Sequence, residues 1–136
     1  MPSDSPKNAP LGIIPLGIIL ESGTHGRAHY AFVVASGAAA LGRNVVLFAT
    51  NAGCLALCRD WSGLSDAKRD SVIQGRGVAG LETLREACQD LGVRMIACDA
   101  GLRAEAIDPA GLLEGVEVAG IATLLEAIGG GPFITL

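Results

Sequence analysis

The chain has 136 residues, half of them hydrophobic but only 4% aromatic, with 19 glycines and a net charge of −4. That length suits one domain able to close a hydrophobic core, and small and aliphatic residues in such proportion suit helices lying close on a parallel sheet. The charge and a pI near 5.0 provide no basic footprint, which argues against nucleic acid or an anionic membrane surface as the main partner.

Residues 1–10, MPSDSPKNAP, carry three prolines among small and polar residues and read as a flexible tail. The stretch LGIIPLGIIL (11–20) is too short to span a membrane and is interrupted by Pro15 and two glycines, and no small-residue cleavage pattern follows it. It reads as a first strand over 13–20, the start of a single domain covering 11–136. ESGTHG (21–26) is a turn, and 27–42 a small-residue helix closed by Gly42. NVVLFAT (44–50) is a second strand. Residues 51–61 read as a short helix with Asn51 at the N-cap. Residues 62–78 are polar, glycine-rich and locally basic, the mark of a mobile loop used as a lid or docking segment. A helix follows at 79–91, with Leu81, Leu84, Cys88 and Leu91 on one face. VRMIAC (93–98) is a third strand, 99–115 a short helix and a turn at Asp108-Pro109, VEVAG (116–120) a fourth strand, 121–130 a helix, and PFITL (132–136) a fifth strand. This alternation predicts an α/β three-layer sandwich around a five-stranded parallel sheet, flavodoxin-like and doubly wound in the order 2-1-3-4-5.

In doubly wound sheets, ligands meet the loops at the carboxyl ends of the strands, where the strand order reverses. In the order 2-1-3-4-5, strands one and three flank that point. Cys98 is then expected to face His25 and Arg27 across a crevice, with Cys54 nearby. Neighbouring positive charge and a following helix N-terminus favour a thiolate, while Asp99 beside the sulfur opposes it. A free cysteine is also a common buried small residue, and position alone leaves both readings open.

The other candidates carry less. Cys88 falls on an apolar helix face. Cys54 and Cys58 stand four apart, a spacing open to a metal or redox pair, but one face of GCLALC has to be buried. The four cysteines form neither a disulfide framework nor paired C-x-x-C motifs, which points to a reducing cytoplasm. His25 and His29 are also four apart but lack the glutamate of a metalloprotease motif, and Gly26 intervenes, so no metal is assigned. SGTHGR resembles a phosphate cradle without the GxGxxG or GxxxxGK[ST] pattern, so no cofactor is assigned either.

AFVVASGAAALGRNVVLFATNAG (31–53), LGVRMIACDAGLRAEAI (91–107) and LLEGVEVAGIATLLE (112–126) together resemble, in order, the DsrE/DsrF-like family of small sulfur-relay α/β proteins. The resemblance implies a parallel five-stranded fold, assembly into trimers or hexamers, and a persulfide-carrying cysteine at the end of the third strand. Cys98 stands at that position. The expectation is a cytoplasmic, sulfurtransferase-like carrier that meets a sulfur donor or acceptor protein. His25 and Arg27 are expected to stabilise the sulfur anion, with 62–78 gating the site. The alternative is a non-catalytic oligomeric module binding a small anion or nucleotide in the same crevice. A purely structural subunit is a third reading.

Overall fold

The computed structural model describes residues 14–136. The expected tail over 1–10 and the first residue of the expected first strand lie outside the described residues. Five strands, β1 (Leu16–Leu20), β2 (Val45–Ala49), β3 (Arg94–Cys98), β4 (Glu117–Ala119) and β5 (Phe133–Thr135), form one sheet with every pairing parallel. The helices between them are α1 (His25–Ala40), α2 (Arg69–Gln74), α3 (Leu81–Asp90), α4 (Asp99–Ala104) and α5 (Ile121–Ile128), with 3-10 turns at Asn51–Leu57 and Pro109–Gly111.

The α/β class and the parallel sheet are as expected, but the strand order is not. It runs β4-β3-β2-β1-β5, so β2 lies between β1 and β3. Both orders use the same alternation of strand and helix with similar crossover lengths. The sequence pattern therefore leaves open to which side each crossover steps, and burial decides it. All five residues of β2 are buried, and it takes the centre. All three residues of β5 are exposed, and it takes an edge.

This order controls which face each helix covers. Right-handed crossovers that step repeatedly one way keep their helices on one face, and a crossover in the opposite direction places its helix on the other. The larger core accordingly holds Ala28, Ala31, Phe32 and Ala35 of α1, Leu81 and Cys88 of α3, and Leu102 of α4. They pack on Ile18, Leu47 and Ala97. The smaller core holds Leu124 and Ile128 of α5 against Val46, Phe48, Ile96 and Cys98. Burying Phe32 or Phe48 fully contributes about 1.5–3 kcal/mol each. Gly17 makes α5 and β5 fit together. A Cβ there would come within 3.0 Å of the Phe133 Cβ and 3.1 Å of Ile128 Cγ2.

Two local expectations also change. The helix expected over 51–61 is a tight 3-10 helix over Asn51–Leu57, with Thr50 at the N-cap position but making no side-chain cap bond. Asn51 is not the cap but lies in the left-handed region with φ of 50°, which asparagine tolerates better than most residues. The expected loop 62–78 contains α2, and Asp70 within it is buried.

Candidate functional site

Alternation along β3 sends Met95 and Ala97 to the α1 face and Ile96 and Cys98 to the α5 face. Cys98 is the last residue of β3 and the N-cap of α4. Its sulfur accepts a hydrogen bond from the Gly101 N–H at 3.4 Å. The first turn of α4 is held close to the chain leaving β2. A Cβ on Gly101 would lie 2.5 Å from the Asn51 nitrogen and 2.9 Å from Thr50 Oγ1. Glycine at 101 thus permits the close approach that aims its amide at the sulfur.

The four thiols differ in how they use their hydrogen-bonding capacity. Cys54 donates to the Ala49 carbonyl, Cys58 to the Cys54 carbonyl and Cys88 to the Phe32 carbonyl. Those bonds require the proton to stay on sulfur. Cys98 accepts, and negative charge on the sulfur strengthens such a bond. Burial pushes the Cys88 thiol up to about 12. Burial, reinforced by the neighbouring Cys98 and Cys58 sulfurs and partly offset by a backbone group of Cys98, pushes Cys54 up to about 12 as well. Cys58 is raised chiefly by burial, with Arg85 pulling the other way. Cys98 is buried as well, and like Cys58 it retains 8% of its surface, where Cys54 and Cys88 retain none.

Cys54 is a neighbour of Cys98, but it belongs to the larger core and is fully buried. Asp99 points to solvent and pairs with Arg103 at 3.1 Å. Arg27 is exposed on the first turn of α1. His25 also lies on that turn and is buried, and its contacts are with other groups. Its Nε2 meets Asp70 Oδ1 at 2.7 Å, and its ring stacks on His29 and tilts against Trp61. The crevice expected to join Cys98 to His25 and Arg27 rested on strands one and three being neighbours. With β2 between them, that premise fails, and Cys98 belongs to the α5 face while α1 covers the other.

Two buried polar residues escaped the sequence reading. Asp70 accepts from His25 Nε2, from the Leu81 N–H at 2.9 Å and from Gln74 Nε2 at 2.7 Å. Burial alone would raise its pKa, but these three donors and the His25 charge together hold it below the usual carboxylate value. Arg85 is almost wholly buried. It donates to the carbonyls of Ala56, Cys58 and Arg59 and to Glu82, and so holds the end of the 3-10 helix. Arg85 is four residues from Leu81 and three from Cys88, a spacing that places it on the inward face. Nothing local marks Asp70, whose histidine partner is 45 residues away. Among the described residues, no group of three or more His, Cys, Asp or Glu side chains is placed to hold a metal ion, and no helix is long and apolar enough to cross a membrane.

The sequence pattern of the DsrE/DsrF/DrsH-like family matches residues 55–131, more than half of the chain, with Cys98 and α4 inside the match. The chain belongs to the DsrE/DsrF/DrsH-like family. Solved structures agree on the fold. The ychN protein of E. coli superposes with a TM-score of 0.69 at 14% identity, over 91% of this chain and 100% of that one. MTH1491 of Methanobacterium thermoautotrophicum, a protein of unknown function, gives a TM-score of 0.54 at 22% identity, over 90% of this chain and 98% of that one. A comparison with curated proteins returns no match.

Proposed function

We propose that this DsrE/DsrF/DrsH-like protein is a sulfur carrier that loads a persulfide on Cys98. One observation carries the reading. Cys98 caps a helix, with its sulfur accepting the Gly101 N–H, and donates to no carbonyl, while the other three cysteines each spend their proton on one. In the step envisaged, the Cys98 thiolate attacks the outer sulfur of a donor persulfide. The donor S–S bond breaks, the donor thiolate leaves with the electron pair, and Cys98 gains one sulfur. An acceptor thiolate then reverses the exchange. The Gly101 amide stabilises the Cys98 thiolate that attacks, and the same thiolate when it is released to the acceptor step.

Assembly into a homo-oligomer, a trimer or hexamer by family resemblance, is part of the same reading. Phe133 on edge strand β5 and Ile121 and Leu125 on α5 are each about half exposed, and large apolar groups left open in this way mark a surface for a partner. His25, bonded to Asp70, and Arg27, exposed on α1, have no place in this step.

The test is mass spectrometry of intact protein after exposure to a persulfide donor. The expected result is the added mass of one sulfur atom on Cys98, absent from a folded Cys98→Ser variant. Loading unchanged in that variant, or no loading of the wild type, overturns the proposal.

A further inference from the structure

We infer that Thr50 is a second hydrogen-bond donor to the reacting sulfur. Its hydroxyl serves the Cys98 thiolate and, after loading, the outer sulfur of the persulfide. This deepens the sulfur-carrier reading and rests on it.

Register brings the two residues together. β2 and β3 run parallel, with Phe48 beside Ile96 and Ala49 beside Ala97. Thr50 follows β2 with φ of −137° and ψ of 160°, so the chain is still extended there. One more step along both strands sets Thr50 beside Cys98. Side chains alternate between the faces of a sheet along each strand. Val46 and Phe48 lie in the α5-side core with Ile96 and Cys98, whereas Val45, Leu47 and Ala49 lie in the other. Thr50 therefore falls on the α5 face, in the same row as Cys98 and one strand spacing, about 4.7–4.9 Å, from it.

The hydroxyl is turned toward the thiol's own helix. A threonine at an N-cap ordinarily accepts a backbone N–H from the turn that follows. Thr50 makes no such bond. Its Oγ1 lies instead against α4, where it would be 2.9 Å from a Cβ placed on Gly101. Gly101 is the residue whose N–H reaches the Cys98 sulfur. Hydroxyl and amide thus approach one sulfur from two different elements. Thr50 is only part-buried, so this end of β2 is open to an arriving sulfur.

The transfer calls for two donors. In the thiolate the charge sits on Sγ, within reach of the Gly101 amide. Loading moves that charge one S–S bond outward, while the amide stays fixed in its helical turn. A hydroxyl rotates about its C–O bond and can follow the charge. It donates without losing its proton, so no covalent bond of Thr50 forms or breaks. Hydrogen bonds to an ionised partner are about twice as strong as neutral ones. A donor already in place when charge develops costs no reorganisation.

The test compares Thr50→Val, which keeps the branched shape but loses the hydroxyl, with Thr50→Ser, which keeps the hydroxyl. Two quantities are measured by mass spectrometry on the folded chains. One is the rate of Cys98 alkylation from neutral to alkaline pH, and the other is the initial rate of loading from a persulfide donor. Thr50→Val should slow both at neutral pH by at least about threefold, and its alkylation profile should move to higher pH. Thr50→Ser should stay within about twofold of wild type in both. Should the valine variant not fold, Thr50→Ala, which also lacks the hydroxyl, takes its place. Wild-type behaviour in the variant without a hydroxyl overturns the inference. So does a serine variant that behaves like the valine one, since shape rather than the hydroxyl would then be at work. Alkylation needs no sulfur donor, so it separates the two readings. A wild type that never loads ends the carrier proposal by itself, whereas a wild type that loads and is matched by Thr50→Val ends only this inference.

Discussion

Cys98 Sγ and the Gly101 amide, 3.4 Å apart, join the last residue of β3 to the first turn of α4. This bond separates Cys98 from the other thiols and sets an order of reactivity. In the folded protein Cys98 should alkylate at least about tenfold faster than Cys88, which reacts only when the structure opens. Site-resolved mass spectrometry over a time course measures both. Equal rates would assign Cys98 to the core.

Gly101→Ala should destabilise the fold by about 1–3 kcal/mol, the usual cost of forcing atoms into a packed site. The new Cβ would press on the Asn51 nitrogen and Thr50 Oγ1, and the first of these is backbone that cannot turn aside. Urea midpoints measure the loss. The same variant should slow Cys98 alkylation relative to wild type under native conditions, because the amide is pushed off the sulfur.

Asp70 makes stability depend on pH in a known direction. Its folded pKa lies below its unfolded value, so the native state favours the carboxylate. The contribution is fully present above the unfolded value, about 3.9, and is lost as pH falls through the folded value beneath it. Urea midpoints followed from neutral pH into acid should fall less steeply for Asp70→Asn than for wild type. Parallel curves would refute this assignment.

Arg85→Met should cost roughly 3 kcal/mol or more. It removes a buried cation and leaves the carbonyls of Ala56, Cys58 and Arg59 without their donor, each a group whose loss of pairing costs about 1–3 kcal/mol. Denaturant unfolding measures it. A neutral result would mean that water replaces the guanidinium.

Leu125→Asp or Phe133→Asp should convert the proposed oligomer to monomer at micromolar concentration, with little loss of monomer stability because both side chains are half exposed. Sedimentation velocity reads the change. A wild-type chain that sediments as a monomer ends the oligomer proposal.

Local patterns carried most of the elements. Apolar runs marked β1, β2 and β3, and the Asp108-Pro109 turn is present, with the Asp108 side chain accepting from Ala110 N–H. Strand order was not legible, because nothing in the linkers tells a crossover which way to step. The Asp70–His25 contact was hidden by its 45-residue separation. Arg85 was hidden differently, since a charged residue on an apolar face looks like an interruption until its carbonyl partners are in view. Cys98 was legible as a strand-end thiol, but which face it takes depends on strand parity.

That parity has a consequence for how the chain tolerates insertions and deletions. Val46 pairs with Arg94 and Phe48 with Ile96, and both faces of β3 are apolar beyond Arg94. A one-residue slip of β3 would therefore still bury aliphatic side chains on each side, yet it would carry the thiol from the α5 face to the α1 face. The group that resists the slip is Arg94, tied to Glu117 by two hydrogen bonds of 2.6 and 2.8 Å, since slipping would drive its guanidinium toward the larger core. A shortened or lengthened turn between α3 and β3 should thus give chains that fold and yet present no cysteine beside α5. In this protein the ion pair at the foot of β3 acts as the index mark for the sulfur at its head.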